Sequence, residues 1–237
     1  MRLIPKVEFY ITNVCNLTCD GCNRFNNYSF KGWQAWDDYA EAIKKWAEYI
    51  DIGHKVLMGG EPLLNPDILK WIRGLHQHWP NTPTQILTNG TYLNRVPGLL
   101  DVCDQTNTWI GISLHRNDSL AEIEEQIDEF LLGIKEVNHS STGHAGPAGG
   151  HHYYKGNFGR ITVWDQHHFC QSALIHDATG YRLHNSNPAQ AHATCAFAQN
   201  KNYHMIRGKF YKCGPVALFP ELDEQFHLQL SDSDRKS

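Results

Sequence analysis

The first two thirds of this chain alternate short β-like runs with helix-like stretches, and that alternation limits its fold more than any other feature. Val7 to Ile11 reads as a first strand. Trp36, Tyr39, Ile43, Trp46 and Ile50 then recur at spacings of three and four, which places them on one face of a helix. Val56 to Met58, Gln85 to Thr88, Trp109 to Leu114 and Arg160 to Trp164 read as further strands. Asn65-Pro66 supplies an N-cap and a first-turn proline for a helix carrying Ile68, Ile72 and Leu75. Ser119 and Glu122 have capping-box spacing ahead of a stripe of Leu120, Ile123, Ile127, Phe130 and Ile134. Strands alternating with helices of this length imply βαβ units and a parallel sheet. A curved sheet or partial barrel suits 237 residues better than a closed eight-fold barrel, which takes about 250 for itself.

The segment Asn138 to Gly159 breaks the pattern. It is rich in Gly, His, Ser and Pro and reads as a long loop, with His139, His144, His151 and His152 on it. Beyond Cys195, the runs Tyr203–Ile206 and Lys209–Lys212 flank Arg207-Gly208, which predicts a β-hairpin. The sequence divides into a main domain at 1–190 and a small carboxyl-terminal extension at 191–237.

Composition narrows the function classes. A formal net charge of −4 gives no reason to expect a nucleic-acid surface. The first residues, broken by Glu8 and Asn13, are too polar for a signal peptide or a membrane span, so a cytoplasmic protein is expected. Of the seven cysteines, Cys15, Cys19 and Cys22 sit within eight residues directly after the first strand. In a reducing compartment such clustering points to metal rather than to disulfides. Soft thiolates select zinc, copper(I) or iron–sulfur clusters. A structural zinc closes its shell with a fourth Cys or His, and the next such residue after Cys22 is His54. Three thiolates on a four-iron cubane would instead leave one iron open to a cofactor or substrate.

At these residues the sequence resembles the radical S-adenosylmethionine (SAM) superfamily. The Cys15-x3-Cys19-x2-Cys22 spacing after the first strand is that family's cluster signature. Gly59-Gly60-Glu61-Pro62 after the second strand resembles its GGEP motif, whose backbone and glutamate hold the methionine amino group of SAM. Thr88-Asn89-Gly90 after the third strand resembles its TNG element. Ser113 falls where the family places a polar contact to the ribose, and His115 is a second candidate for that contact. The family's aromatic residue before the third cysteine is replaced here by Gly21, and Phe25 is the candidate to serve the adenine in its place. The motifs cover residues 5 to 135, and the ends of parallel strands are where such sheets bind ligands.

The resemblance implies a TIM-like partial (β/α)6 barrel with a carboxyl-terminal hairpin. It also implies a [4Fe–4S] cluster on Cys15, Cys19 and Cys22 and SAM beside it. An electron from a donor such as flavodoxin or ferredoxin would cleave SAM to a 5′-deoxyadenosyl radical that abstracts hydrogen from a substrate, either a peptide or protein or a sugar or other small metabolite. Cys195-x12-Gly208-x4-Cys213 resembles the opening of the family's SPASM or twitch module, which implies a second [4Fe–4S] cluster on Cys195 and Cys213. No cysteine follows Cys213; Cys170 and His192 are the candidates to complete such a site. Two other readings stay open: a non-catalytic iron–sulfur or SAM-binding partner subunit, and a zinc-stabilised binding module.

Overall fold

A computed structural model describes residues 1–115, 119–132, 138–146, 149–156, 159–165, 174–183, 187–228 and 230–231. The first large element is β2 (Lys6–Tyr10), preceded by a short strand β1 (Arg2–Ile4) that pairs in parallel with β3 (Ile50–Ile52). The expected alternation follows: α1 (Trp36–Ala47), β4 (Lys55–Met58), α2 (Ile68–His78), β5 (Thr84–Thr88), α3 (Leu99–Gln105), β6 (Thr108–Leu114) and α4 (Leu120–Phe130). Then come β7 (Asn138–Gly146), β8 (Gly149–Gly156) and β9 (Gly159–Asp165), a hairpin of β10 (Leu174–Asp177) and β11 (Gly180–Leu183), and helices α5 (Pro188–Thr194) and α6 (Ala196–Gln199). The chain continues through β12 (Asn202–Ile206), β13 (Lys209–Tyr211), α7 (Gly214–Ala217) and α8 (Phe219–Phe226).

The main sheet runs β13-β12-β2-β4-β5-β6-β9-β8-β7. Its six middle strands, β12 through β9 in that order, are all mutually parallel. This is the predicted α/β class, with a parallel sheet of TIM-like topology flanked by antiparallel strands at either side. The sixth parallel strand does not come only from the chain following β6. The predicted carboxyl-terminal hairpin forms, with Arg207 and Gly208 both at positive φ as a two-residue turn of the I′ kind requires, and its first strand lies against β2 in parallel. Asn202 faces Lys6 and Met205 faces Phe9.

The loop expected over Asn138–Gly159 is corrected: β7 and β8 are antiparallel strands, and β8 pairs along β9 from His151 opposite Trp164 to Gly156 opposite Gly159. Local composition disfavours a strand there, and the ladder against β9 overrides it, because β-propensity is set by partners as much as by residues.

Period-two alternation sorts the strands into two faces. Val7, Phe9, Leu57, Ile86, Ile110, Ile112, Ile161, Val163 and Met205 join the large core that α1–α4 cover. Acidic Asp37 and Asp38 in the first turn of α1 and Lys44 and Lys45 in its last suit the helix dipole. Trp36 of α1 meets Trp71 of α2 edge to face at 5.1 Å, over Gly74. A second, smaller apolar cluster of Tyr10, Phe25, Ile206, Ala217, Leu218 and Leu222 ties α7 and α8 to the segment that carries the three cysteines. Among the described residues no helix is long and apolar enough to cross a membrane.

Lys55 is fully buried at the start of β4, where its Nζ donates to the carbonyls of Leu75 (3.2 Å) and Trp79 (2.8 Å). Burial pushes its pKa down to about 8, and a neutral amine still has two N–H groups for those two carbonyls. Between pH 8 and 10.5 the unfolded chain holds this proton while the folded chain has lost it, so Lys55 adds stability as pH rises. The stability advantage of the wild type over Lys55→Met is therefore expected to widen by about 1.4 kcal/mol per pH unit across that window, measured by urea unfolding at pH 7.5 and 10.

Candidate functional site

The residues singled out in the sequence meet at the carboxyl ends of β2, β4, β5 and β6. Cys15, Cys19 and Cys22, with Gly59, Gly60, Thr88, Asn89, Ser113 and His115, line one cavity of about 610 Å³. That is the size range of small-molecule and cofactor sites.

The cysteine segment is held from below by the GGEP turn. Gly60 N donates to Thr12 O and Glu61 N to Val14 O, both at 2.8 Å. A Cβ on Gly59 would lie 2.5 Å from Thr12 O, and one on Gly60 2.3 Å from Val14 O. The close backbone approach that these glycines permit is thus to the cysteine segment itself, while both still line the cavity. Within that segment Gly21 has φ 72°. The left-handed backbone there is strained for any residue with a side chain, which accounts for glycine where the family carries an aromatic. Phe25 also has a positive φ, of 60°, and Phe25 N donates to Cys22 O at 3.0 Å to close the turn.

Two expected roles are corrected. Phe25 does not face the cavity: it is 1% exposed and packs in the apolar cluster with Tyr10 and Leu222. Glu61 is fully buried, and its carboxylate is engaged by the chain rather than turned to a ligand. Oε1 accepts from Thr88 Oγ1 at 2.6 Å and Leu63 N at 3.0 Å, and Oε2 accepts from Asn89 N at 2.8 Å. Burial pushes its pKa up to about 7 against these three hydrogen bonds. Glu61 thereby welds the GGEP turn to the Thr88-Asn89-Gly90 turn. Asn89 in turn donates from Nδ2 to Asn16 Oδ1 at 2.8 Å, which ties the second turn to the cysteine segment. Pro62 is buried and begins a single 3-10 turn over Pro62–Leu64.

The donor set suits a soft metal group bound by three thiolates. Cys15 is half-buried, and burial, with Glu61 and the other two cysteines nearby, holds its thiol up to about 11; Leu17 N donates to its Sγ at 3.5 Å. Burial, then Cys22, raises Cys19 as well. Desolvated thiols of this kind ionise when a cation takes the place of their protons, and among the described residues no three such side chains stand close enough to hold a single metal ion. Ser113 and His115 line this cavity and a second one of about 280 Å³. Cys195 and Cys213, both half-buried, line neither cavity; they N-cap α6 and α7. His192 lies in the last turn of α5, and Cys170 lies outside the described residues.

The inner part of the cavity was not anticipated. Lys6, Glu8 and Arg24 line it with Met58, Gln85, Trp109, Trp164 and Phe197. Arg24 Nη2 donates to Glu8 Oε2 at 2.7 Å, Lys6 Nζ lies 3.1 Å from Glu8 Oε1, and His204 Nδ1 lies 3.2 Å from Glu8 Oε2. Burial opposes ionisation of Glu8, yet Arg24, then His204 and Lys6, hold its pKa below the usual value. Burial, then the charge of Arg24, holds His204 down to about 3, so it is neutral at pH 7. The signal was present in the sequence: Lys6 and Glu8 alternate with Val7 and Phe9, which puts two charges on the face opposite the core.

Comparison with known proteins agrees with this geometry. Residues 9–120 match the family model "Radical SAM superfamily". The chain is 27% identical over 146 residues to GTP 3′,8-cyclase of Nautilia profundicola, covering 56% of this chain and 46% of that protein, so it spans about half the length of that curated relative. Among solved structures, BtrN in complex with AdoMet and 2-DOIA aligns over 100% of this chain and 87% of its own, at 15% identity and a TM-score of 0.54. Streptococcus suis SuiB bound to S-adenosylmethionine aligns over 51% of this chain and 28% of its own, at 19% identity and a TM-score of 0.41. The BtrN alignment is a likeness of fold across the whole chain. Over residues 9–120, with the three cysteines at the head of a parallel sheet, this chain matches the radical SAM superfamily.

Proposed function

We propose that this chain is a radical SAM enzyme that binds a [4Fe–4S] cluster through Cys15, Cys19 and Cys22 and SAM next to it. The observation that carries the reading is that the three thiols share one cavity with Gly59, Gly60, Asn89, Ser113 and His115, which stand at the carboxyl ends of β4, β5 and β6. When bound, the cluster supplies the single electron that cleaves SAM to methionine and a 5′-deoxyadenosyl radical. The protein's own residues orient the partners and exclude water. Gly59 and Gly60 present backbone to the methionine end, and Asn89, Ser113 and His115 offer polar contacts to the rest of SAM. The electron donor would be a flavodoxin or ferredoxin.

The cavity must hold both SAM and the group that loses hydrogen. Its volume, shared in this way, favours a small metabolite or a single peptide side chain over a wider stretch of protein. A second [4Fe–4S] cluster on Cys195 and Cys213 would lie outside the cavity, in the carboxyl-terminal segment.

The test is anaerobic reconstitution with iron and sulfide, followed by iron counting and an assay for 5′-deoxyadenosine with SAM and dithionite. About four irons per chain with 5′-deoxyadenosine formed is the expected result. About eight irons, falling to four in Cys213→Ala, would establish the second cluster. Zinc in place of iron would support the binding-module reading. A cluster that never cleaves SAM would support the partner-subunit reading.

A further inference from the structure

The charged inner wall of the cavity is built at a cost that cysteine and SAM binding do not explain. Side chains of Glu8 and Arg24 are each 4% exposed, and that of Lys6 is 28% exposed. Withdrawing such groups from water costs several kcal/mol each unless their partners are excellent. Glu8 has its partners: Lys6 on one oxygen, Arg24 and His204 on the other. The cations do not. Among the described residues lining this wall, one carboxylate faces two positive groups and His204 is neutral, which leaves one positive charge in excess. Arg24 Nε is buried with no hydrogen-bond partner among the described residues. Lys6 has three N–H donors and Glu8 as its one ion-pair partner among the described residues.

The guanidinium is also fixed in place. It lies against the backbone of Gly214, where a Cβ would come within 2.7 Å of both Cζ and Nη1, and Nη2 is 3.6 Å from Met58 Sδ. Trp109 and Trp164 line the same cavity, and the side chains of Gln85 and Trp164 both reach over Gly111, where a Cβ would meet them at 2.5 and 2.6 Å. A pre-positioned cation pair beside aromatic walls, with a buried amide, is how a protein fixes an anionic group on an otherwise apolar body.

We propose that this inner wall is the substrate subsite, and that the substrate is a small molecule whose carboxylate or phosphate binds Lys6 and Arg24 while its body lies against Trp109 and Trp164. The proposal rests on the radical SAM reading, because it assigns the rest of the cavity to SAM. It places the charged end of the substrate at the inner end of the cavity and leaves its body facing the cysteine end, where hydrogen abstraction would occur.

The test uses three probes of one shape: benzoate, phenyl phosphate and neutral benzamide, titrated into the full reconstituted chain with and without SAM. Quenching of tryptophan fluorescence is the readout, and loss of signal change in Trp164→Phe locates it. At least one anion is expected to bind about tenfold or more tighter than benzamide, with SAM present or absent; which of the two does so names the group. Lys6→Met and Arg24→Met should each weaken that anion about tenfold and leave benzamide unchanged. Arg24→Met can unfold the chain by uncovering Glu8, but Lys6→Met, on the more exposed partner, tests the same point, with circular dichroism as the check on folding. Equal binding of benzamide, no binding by any probe, or insensitivity to Lys6→Met would overturn the proposal. So would displacement of the anion by SAM, since the cations would then serve the carboxylate of SAM. Iron and 5′-deoxyadenosine measured on the same preparation separate the two failures: 5′-deoxyadenosine without anion selectivity sinks this inference alone.

Discussion

Cys19→Ala is expected to abolish 5′-deoxyadenosine formation, by about a thousandfold or more, and to lower reconstituted iron to near zero. Partners beyond the ligands of a metal group typically cost about 10–100-fold when removed, so loss of one of three ligands should exceed that range. The three cysteines do not play interchangeable structural parts, and this sharpens the test. Cys15 Sγ accepts from Leu17 N, and Cys22 Sγ lies 3.8 Å from Asn26 Oδ1. Cys19 is half-exposed, and its carbonyl accepts a long bond, 3.3 Å, from Cys22 N. Alanine keeps that backbone bond. The iron-free variant should therefore melt within about 1 kcal/mol of the wild-type apoprotein, as a substitution outside the packed core does. Retained SAM cleavage in Cys19→Ala would refute the ligand assignment. A variant that fails to fold without iron would show that the thiol holds the segment together by itself.

How far the sequence foretells this site depends on whether the deciding interactions are local. Strands β2, β4, β5, β6 and β9 are legible because each is an apolar run whose core-facing residues, such as Ile86 or Ile110, recur at period two. The Arg207-Gly208 turn is legible because its geometry demands residues that tolerate positive φ. That β12 then lies beside β2 is not legible. Asn202 and Lys6 are far apart in sequence, and neither run names its partner. The β7–β8 hairpin is hidden for the same reason: its Gly- and His-rich residues become strand only against β9.

At the site the motifs identify which residues gather but not where each side chain turns. The Gly-Gly-Glu-Pro run predicts a turn at a ligand, and the turn is there. The direction of Glu61 follows from burial: a carboxylate with no exposed surface takes the nearest donors, which are Thr88, Asn89 and Leu63. Phe25 is drawn into the core because α7 and α8 return to cover it, a long-range packing that a motif cannot carry. The inner wall was legible in principle. Lys6 and Glu8 on a strand whose other face is Val7 and Phe9 are charges on the side of the sheet opposite the core, and such a position signals either a partner or a ligand.

The second large effect is expected at a residue that makes no side-chain contact at all. Gly60→Ala should destabilise the apoprotein by about 3 kcal/mol or more, a large fraction of the stability of a typical domain, and impair cluster assembly as a consequence. Its added Cβ would sit 2.3 Å from Val14 O, 2.7 Å from Val14 C and 2.9 Å from Asn26 Nδ2. The first two are backbone atoms of the strand-to-cysteine connection, so no side-chain rotation relieves them. Relief requires moving that connection away, which lengthens the 2.8 Å bonds Gly60 N to Thr12 O and Glu61 N to Val14 O. Both bonds tie the cysteine segment to β4, and Asn26, which braces the segment through a 2.7 Å bond to Asn13 O, is displaced with them. Gly98→Ala is the matched control. Gly98 has φ 77° but open space around its missing side chain, so its cost is the left-handed backbone alone, about 1–2 kcal/mol. Urea unfolding of both variants separates the mechanisms. If Gly60→Ala costs no more than Gly98→Ala, the backbone clasp between the GGEP turn and the cysteine segment is looser than the structure has it. If it costs clearly more, these glycines are required by the fold's own backbone, before any ligand is bound.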